Sequence, residues 1–276
     1  MAVAQASMPR DEMAEAQVKR EVQAKLSFLA WTAVVWVGIF ALIILFLSFI
    51  KLDFGFIIQW LPFIVGGIPM TLFVSVASIV LAVLLAFIGA LGRLSRNPLF
   101  FGSATFYVSI IRGTPLLVQV FMWFLGLPQV KIPYLAPEGI VLPALLAGIL
   151  ALAVCYGAYM TETFRAGIQS ISKGQTEAAV ALGMTRSQTM WRIILPQAVR
   201  IVIPPIGNEF IAMTKDSVMV SFMGVWELFF RAQRVGRQYY RNFETLLLAA
   251  LFYWIMQIIL QSIQSHIETR MARGDR

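Results

Sequence analysis

Four stretches of this chain run without a charged residue for long enough to cross a lipid bilayer. They lie between Lys25 and Lys51, Asp53 and Arg93, Glu138 and Glu162, and Glu244 and Glu268, the last holding His266 near its end. A helix needs about 20 apolar residues to span the hydrocarbon core. Hydrophobic residues make up 59% of the chain and charged residues 13%, where a soluble domain carries about 25% charged residues. The expectation is an all-α polytopic membrane bundle of about six transmembrane helices.

The first run is expected to be an uncleaved helix. About 25 polar residues precede it, and its apolar core exceeds the roughly 7–15 residues of a secretory signal. The chain divides accordingly into a polar N-terminal tail, residues 1–26, and a transmembrane domain, residues 27–276. Met8 to Lys25 is charged and helix-prone; it reads as a solvated tail, with a surface helix as the alternative. Cys155 lies inside an apolar run and offers neither a disulfide nor a metal cluster. His266 reads as an interfacial histidine at a helix end. The net charge of +8 comes from basic residues flanking helices, which points to anchoring and topology and away from nucleic acid.

Six crossings are expected, at roughly 27–50, 65–92, 99–125, 141–164, 193–213 and 243–266. The third is interrupted by Arg112-Gly-Thr-Pro115, where proline removes a donor and clashes with the preceding turn. In a membrane such a break must be satisfied by protein or by water in a cavity. The fifth carries Pro196, Pro204 and Pro205 and should be kinked or split. Residues 216–236 are amphipathic and read as a short re-entrant or surface helix. Lysine and arginine set the orientation. Arg10, Lys19, Arg20, Lys25, then Arg93 and Arg96, then Arg165, Lys173, Arg186 and Arg192, then Arg270, Arg273 and Arg276 all fall on one face, the cytoplasmic one. Arg231, Arg234, Arg237 and Arg241 fall on the other. Lipid headgroups, a partner protein or a miscounted crossing would each account for them.

The longest inner loop, 170–192, leads into Ile193-Ile-Leu-Pro196. Gln175 to Leu182 is rich in helix formers, Thr176 or Ser172 can cap its start, and Gly183 is a natural stop. The result is a short helix across the cytoplasmic face. Alanines 178, 179 and 181 would let it sit close in a partner's groove, with Glu177 adding an ionic contact. From composition alone an ordinary amphipathic loop helix is an equal alternative. The chain has no Gly-x-x-x-x-Gly-Lys-Ser/Thr phosphate loop and no nucleophile–base–acid set, so neither ATP hydrolysis nor intramembrane catalysis is expected of it.

The spacing Glu177-Ala-Ala, then Gly183 after three residues, then Ile194-Leu-Pro196 after ten more, resembles the signature loop of permease subunits in ATP-binding-cassette importers. Glu177, Ala178, Ala179, Gly183, Ile194 and Pro196 match it position by position. Other segments resemble the branch that imports polar amino acids: Gly67 to Ser75, Arg112 to Gln119, Ala158 to Ile168, Leu195 to Ala198 and Lys215 to Ser217. The resemblance covers about residues 60–270. It implies the five-helix core of type I importers, preceded by one extra helix at 27–50, in a bacterial plasma membrane with both termini cytoplasmic. It also implies cytoplasmic ATPase subunits that dock on the loop and carry ATP and magnesium, a second permease subunit, an extracytoplasmic binding protein and an amino-acid substrate. The chain itself would hold no cofactor.

Ionisable groups within a bilayer cost at least ~2.5–3.5 kcal/mol at the helix centre and so mark candidate pathway residues. Glu162 and Arg165 share a helix face and can pair, chiefly as a structural pair. Arg112 either binds a substrate carboxylate or caps carbonyls freed at the break. Glu209, next to Asn208, suits an ammonium or guanidinium contact, or a bond to a neighbouring helix. Gln119 and Thr71 are neutral hydrogen-bonding candidates, and Lys215 with Asp216 reads as a gate or scaffold pair. Two other readings compete: a self-sufficient secondary carrier or channel, which leaves the Glu-Ala-Ala loop unexplained, and a receptor or scaffold, which leaves Glu209 and Arg112 unexplained.

Overall fold

The computed structural model describes residues 10–50, 52–134 and 136–272. Lys51, which bounds the first apolar run, and Arg273 and Arg276, used above to orient the chain, lie outside them, as do residues 1–9 of the polar tail. The chain forms two compact units, Met1–Phe54 and Gly55–Arg276.

Among the described residues of the first unit lies helix α1 (Arg10–Ser48), 39 residues long. At 1.5 Å per residue it measures about 58 Å, roughly twice the hydrocarbon core. It begins well inside the segment read as a solvated tail. Its apolar stretch, Glu21–Ser48, buries nothing.

The second unit is built from helices, with a non-helical stretch over 130–134 and 136–143 that carries an isolated bridge between Ile132 and Ala136. Its elements are α2 (Phe54–Val65), α3 (Ile68–Arg93), α4 (Pro98–Arg112), α5 (Leu116–Phe121), α6 (Ala144–Gln169), α7 (Lys173–Ala181), α8 (Arg186–Thr189), α9 (Leu195–Asp216), α10 (Leu228–Tyr239) and α11 (Asn242–Ala272). Helix α2 was not expected. Together α2 and α3 form a continuous apolar stretch of 40 residues, about 60 Å and too long for one straight crossing. Gly66 and Gly67 divide it. A Cβ on Gly67 would lie 2.6 Å from the Leu228 backbone, so glycine permits α10 to start against this junction.

The centre of the unit is the α3–α6 pair. Ala82, Ala86 and Ala90 of α3 are fully buried, as are Ala147, Ala151 and Ala158 of α6. A Cβ on Gly89 would clash with Thr161. Lipid offers no hydrophobic driving force between helices, so small residues that let backbones approach and pack supply the attraction. A second core joins α2, α10 and α11 through Ile64, Leu228, Ala232, Leu248, Ala249 and Met256.

Among the described residues, four helical stretches are long and apolar enough to cross a membrane: Glu21–Ser48, Phe54–Arg93, Ala144–Gln169 and Asn242–Arg270. The expected third crossing turns by 106° between Pro98–Arg112 and Leu116–Gln129, and raises the total to five if it counts as one span. The expected fifth crossing is occupied by α9. Its 22 residues give about 33 Å, enough to span, but its prolines, Arg200, Asn208 and Glu209 make it too polar to qualify by composition. It neither splits nor stops at Pro204-Pro205. Instead α11 supports it from the side: Gln264 donates to the Pro204 carbonyl (3.1 Å), and Gln257 donates to the Ile211 carbonyl (3.2 Å) and to Thr214 (3.1 Å). These bonds tie α9 to α11 at and beyond the proline pair; interhelical bonds from glutamine side chains are a common means of joining membrane helices.

Candidate functional site

The inner loop is built around α7. The Ser172 hydroxyl accepts from the Gly174 N–H at 3.3 Å and caps its start. Its end is a left-handed stop: Gly183 has φ +75°, the Gly183 N–H donates to the Val180 carbonyl (2.9 Å) and the Met184 N–H to the Ala179 carbonyl (3.0 Å). This paired arrangement satisfies carbonyls that a helix end leaves open. A capping box follows, in which Thr185 and Gln188 exchange side-chain and backbone bonds at 3.3 and 2.9 Å. Both ends of α7 are therefore held by the chain itself.

Burial sorts the six signature residues. Glu177, Ala178, Gly183 and Pro196 are exposed. Ala179 is buried and faces back onto the chain, so it is not part of a free docking surface. Ile194 is buried with Ile168 and Ala198, beside Leu94 and Met190, and anchors the segment to the bundle. It lies at the end of a π-helical turn, Met190–Ile194, two residues before Pro196. Exposed Val180, Leu182 and Trp191 complete an apolar surface that the sequence reading did not single out. Trp191 also touches Phe87, which stacks edge-on against Phe164, joining the loop to α3 and α6.

The polar candidates within the bundle divide into committed and open groups. Thr71 is fully buried. Its hydroxyl bonds the Gly67 carbonyl and Glu227, each at 3.3 Å, and accepts from the Leu228 N–H at 3.2 Å. It belongs to a lock centred on Glu227, which also accepts from Tyr253 (2.6 Å) and from the Phe230 N–H (2.7 Å). Thr71 has no group left for a substrate. Glu227 and Tyr253 escaped the sequence reading because nothing local marks partners 26 and 156 residues away.

Gln119 donates to the carbonyls of Ile111 (2.8 Å) and Thr114 (3.1 Å) and to the Thr114 hydroxyl (3.0 Å). The carbonyls freed by Pro115 are thus satisfied by Gln119, which releases Arg112 from that role. Glu162 sits between two arginines, with Arg93 at 3.1 Å on one oxygen and Arg165 at 2.7 Å on the other. Arg93 also donates to Thr105 at 2.6 Å, so the network ties α3, α4 and α6 and is structural. Asp216 accepts from Tyr156 at 2.8 Å, which makes it scaffold; Lys215 is exposed.

Three candidates stay open. Arg112 is exposed, with its guanidinium 5.2 Å over the Tyr159 ring. Glu209 is half-buried and Asn208 exposed. Among the described residues neither makes a hydrogen bond or ion pair, although Arg112 is near enough for its charge to act on Glu209. A cationic group and an anionic group thus face the same region without neutralising each other by contact.

Spans of this length, a broken crossing whose backbone is satisfied from within, and unpaired charged groups beside it define a membrane transport subunit. The chain belongs to the family of binding-protein-dependent transport system inner membrane components, whose sequence model matches residues 78–273. It is similar to the arginine transport system permease protein ArtQ of Bacillus subtilis, 36% identical over 82% of this chain and 100% of the relative. It is similar also to the L-cystine transport system permease protein TcyB of the same organism, 40% identical over 77% of this chain and 88% of the relative. A crystal structure of an amino acid ABC transporter with histidines superposes with a TM-score of 0.73 at 36% identity, covering 80% of this chain and 100% of that one.

Proposed function

We propose that this chain is the membrane permease subunit of an ATP-driven importer of polar amino acids in a bacterial inner membrane. Cytoplasmic ATPase subunits, which carry the ATP and magnesium, dock on α7, and a second permease subunit completes the pathway. A binding protein delivers substrate from the opposite side, and both termini are cytoplasmic. The observation that carries this reading is α7: a short helix capped at both ends, exposing Glu177, Ala178, Val180 and Leu182, and anchored to the bundle through Ile194. A loop helix with no external role has no reason to be held rigid while leaving apolar side chains such as Leu182 82% exposed. The substrate class is supported by the relatives and by the open pair Arg112 and Glu209, which suit a carboxylate and an ammonium or guanidinium. ATP binding would close the ATPases and draw the two α7 helices together; nucleotide shifts this equilibrium only through its different affinity for the two states.

The test is reconstitution. The permease, with its ATPase and binding protein, is placed in proteoliposomes, and ATP hydrolysis and uptake are measured over a panel of polar amino acids. Uptake that requires both partners, with hydrolysis stimulated by one or a few amino acids, is the expected result. Uptake by the permease alone would refute the reading in favour of a self-sufficient carrier.

A further inference from the structure

The arginines that run against the charge asymmetry of the chain sit on or just after one short helix, α10. Its inner face is Leu228, Ala232, Val235 and Gly236, all buried. Arg231, Arg234, Arg237 and Arg241, three, three and four residues apart, form a stripe on its other side. Three of the four guanidinium groups lie over aromatic rings: Arg231 over Phe63 at 5.3 Å, Arg234 over Trp226 at 4.8 Å and Arg241 over Phe56 at 5.9 Å. These rings belong to a continuous aromatic patch with Trp60 and Tyr239, whose centroids are 5.1 Å apart.

Of the four arginines, Arg241 is already paired, and the middle two are left to the outside. Glu244 pairs with Arg241 at 3.0 Å. Glu227 is fully buried and turned toward Thr71 and Tyr253. Arg231 donates to two backbone carbonyls, those of Phe63 at 3.1 Å and Trp226 at 3.3 Å, and makes no ion pair among the described residues. Arg234 and Arg237 are exposed and make no ion pair among the described residues.

We infer that this stripe binds the phosphate headgroup of an anionic phospholipid in the leaflet opposite the α7 loop. The inference rests on the topology proposed above. Tryptophan and tyrosine concentrate at membrane–water interfaces, so a belt of both beneath a row of arginines marks headgroup depth. The guanidinium fork matches phosphate oxygens two at a time and is weakly hydrated, which suits a site bordered by aromatic rings. Ile58 of the adjoining α2 is 68% exposed, which supplies an apolar wall for an acyl chain beside the charged heads. An acidic protein surface would meet the arginines but would leave that wall and the ring faces in water.

The experiment uses the full-length permease without its ATPase, in nanodiscs of phosphatidylcholine with and without phosphatidylglycerol. Co-purifying lipid is measured by native mass spectrometry. The expected result is preferential retention of phosphatidylglycerol. The double variant Arg234→Gln/Arg237→Gln should weaken it by about 25-fold, a factor of ~5 per arginine, and Arg234→Lys/Arg237→Lys should recover part of it. Equal retention of both lipids by the unaltered chain, or undiminished retention by the double glutamine variant, would overturn the proposal. If that variant instead keeps its lipid but loses binding-protein docking in the reconstituted complex, the stripe is a protein interface and the lipid assignment is wrong. Retention is read without any transport step, so its failure leaves the importer reading standing, and the reverse.

Discussion

Gly183 offers a test of whether the fixed end of α7 matters to coupling. Its φ of +75° lies in the left-handed region, and a Cβ added there meets nothing within 4 Å. Any effect of substitution must therefore act through backbone conformation and not through a clash. A side chain in the left-handed region costs roughly 1–2 kcal/mol. The alternative is to release the turn and lose the Gly183–Val180 and Met184–Ala179 bonds, each worth about 0.5–1.5 kcal/mol. The second route costs about 1–3 kcal/mol in all, so the cheaper of the two sets a cost of about 1–2 kcal/mol, close to a tenfold shift in the population of the capped form. Asparagine tolerates this region and a β-branched residue does not. Gly183→Val should therefore lower ATP-driven uptake several-fold at unchanged permease abundance and raise amide hydrogen exchange across α7, while Gly183→Asn stays near the unaltered chain. Equal impairment by the two, or normal uptake and exchange with valine, would refute the reasoning.

Glu227→Ala removes a helix cap worth about 1 kcal/mol and orphans the buried Tyr253 hydroxyl at a further ~1–3 kcal/mol; thermal unfolding in detergent should show a loss near 3 kcal/mol, against about 1 for Glu227→Gln, which keeps an acceptor for the Phe230 N–H. Gln119→Leu leaves the Ile111 and Thr114 carbonyls without their side-chain donor, at ~1–3 kcal/mol apiece, and should appear as faster hydrogen exchange around residues 112–119 before any global loss of stability. Glu209→Ala should reduce substrate-dependent uptake while leaving the ATPase associated by co-purification, and unchanged uptake kinetics would remove Glu209 from the pathway.

Local chemistry was readable where one segment contains its own explanation. The apolar runs located α1, α3, α6 and α11. The break at Arg112 to Pro115 is present where proline demanded it, and α7 occupies Lys173–Ala181 between the serine cap and the glycine stop. Distant chemistry was not readable. Gln119 is a nearer case: its partners Ile111 and Thr114 are eight and five residues back, yet only the folded break shows that its amide closes it. Thr71 looked available because Glu227 is 156 residues away. Nothing in the local sequence announces that α9 runs on through two prolines to Asp216 with Gln264 and Gln257 of α11 bonded to it, and Pro115 announces a break but not its 106° angle.

The sequence by itself determined that this chain lives in a membrane, where most of its long helices run, and where an inner-loop helix is capped at both ends, since burial in lipid, helix propensity and capping act over a few turns. Only the tertiary structure decided which polar groups remain free. A hydroxyl, an amide or a carboxylate is spent or open according to the partner that packing brings within about 3 Å. Packing spent Thr71, Gln119, Glu162 and Asp216 on the scaffold, and left Arg112, Asn208 and Glu209 open.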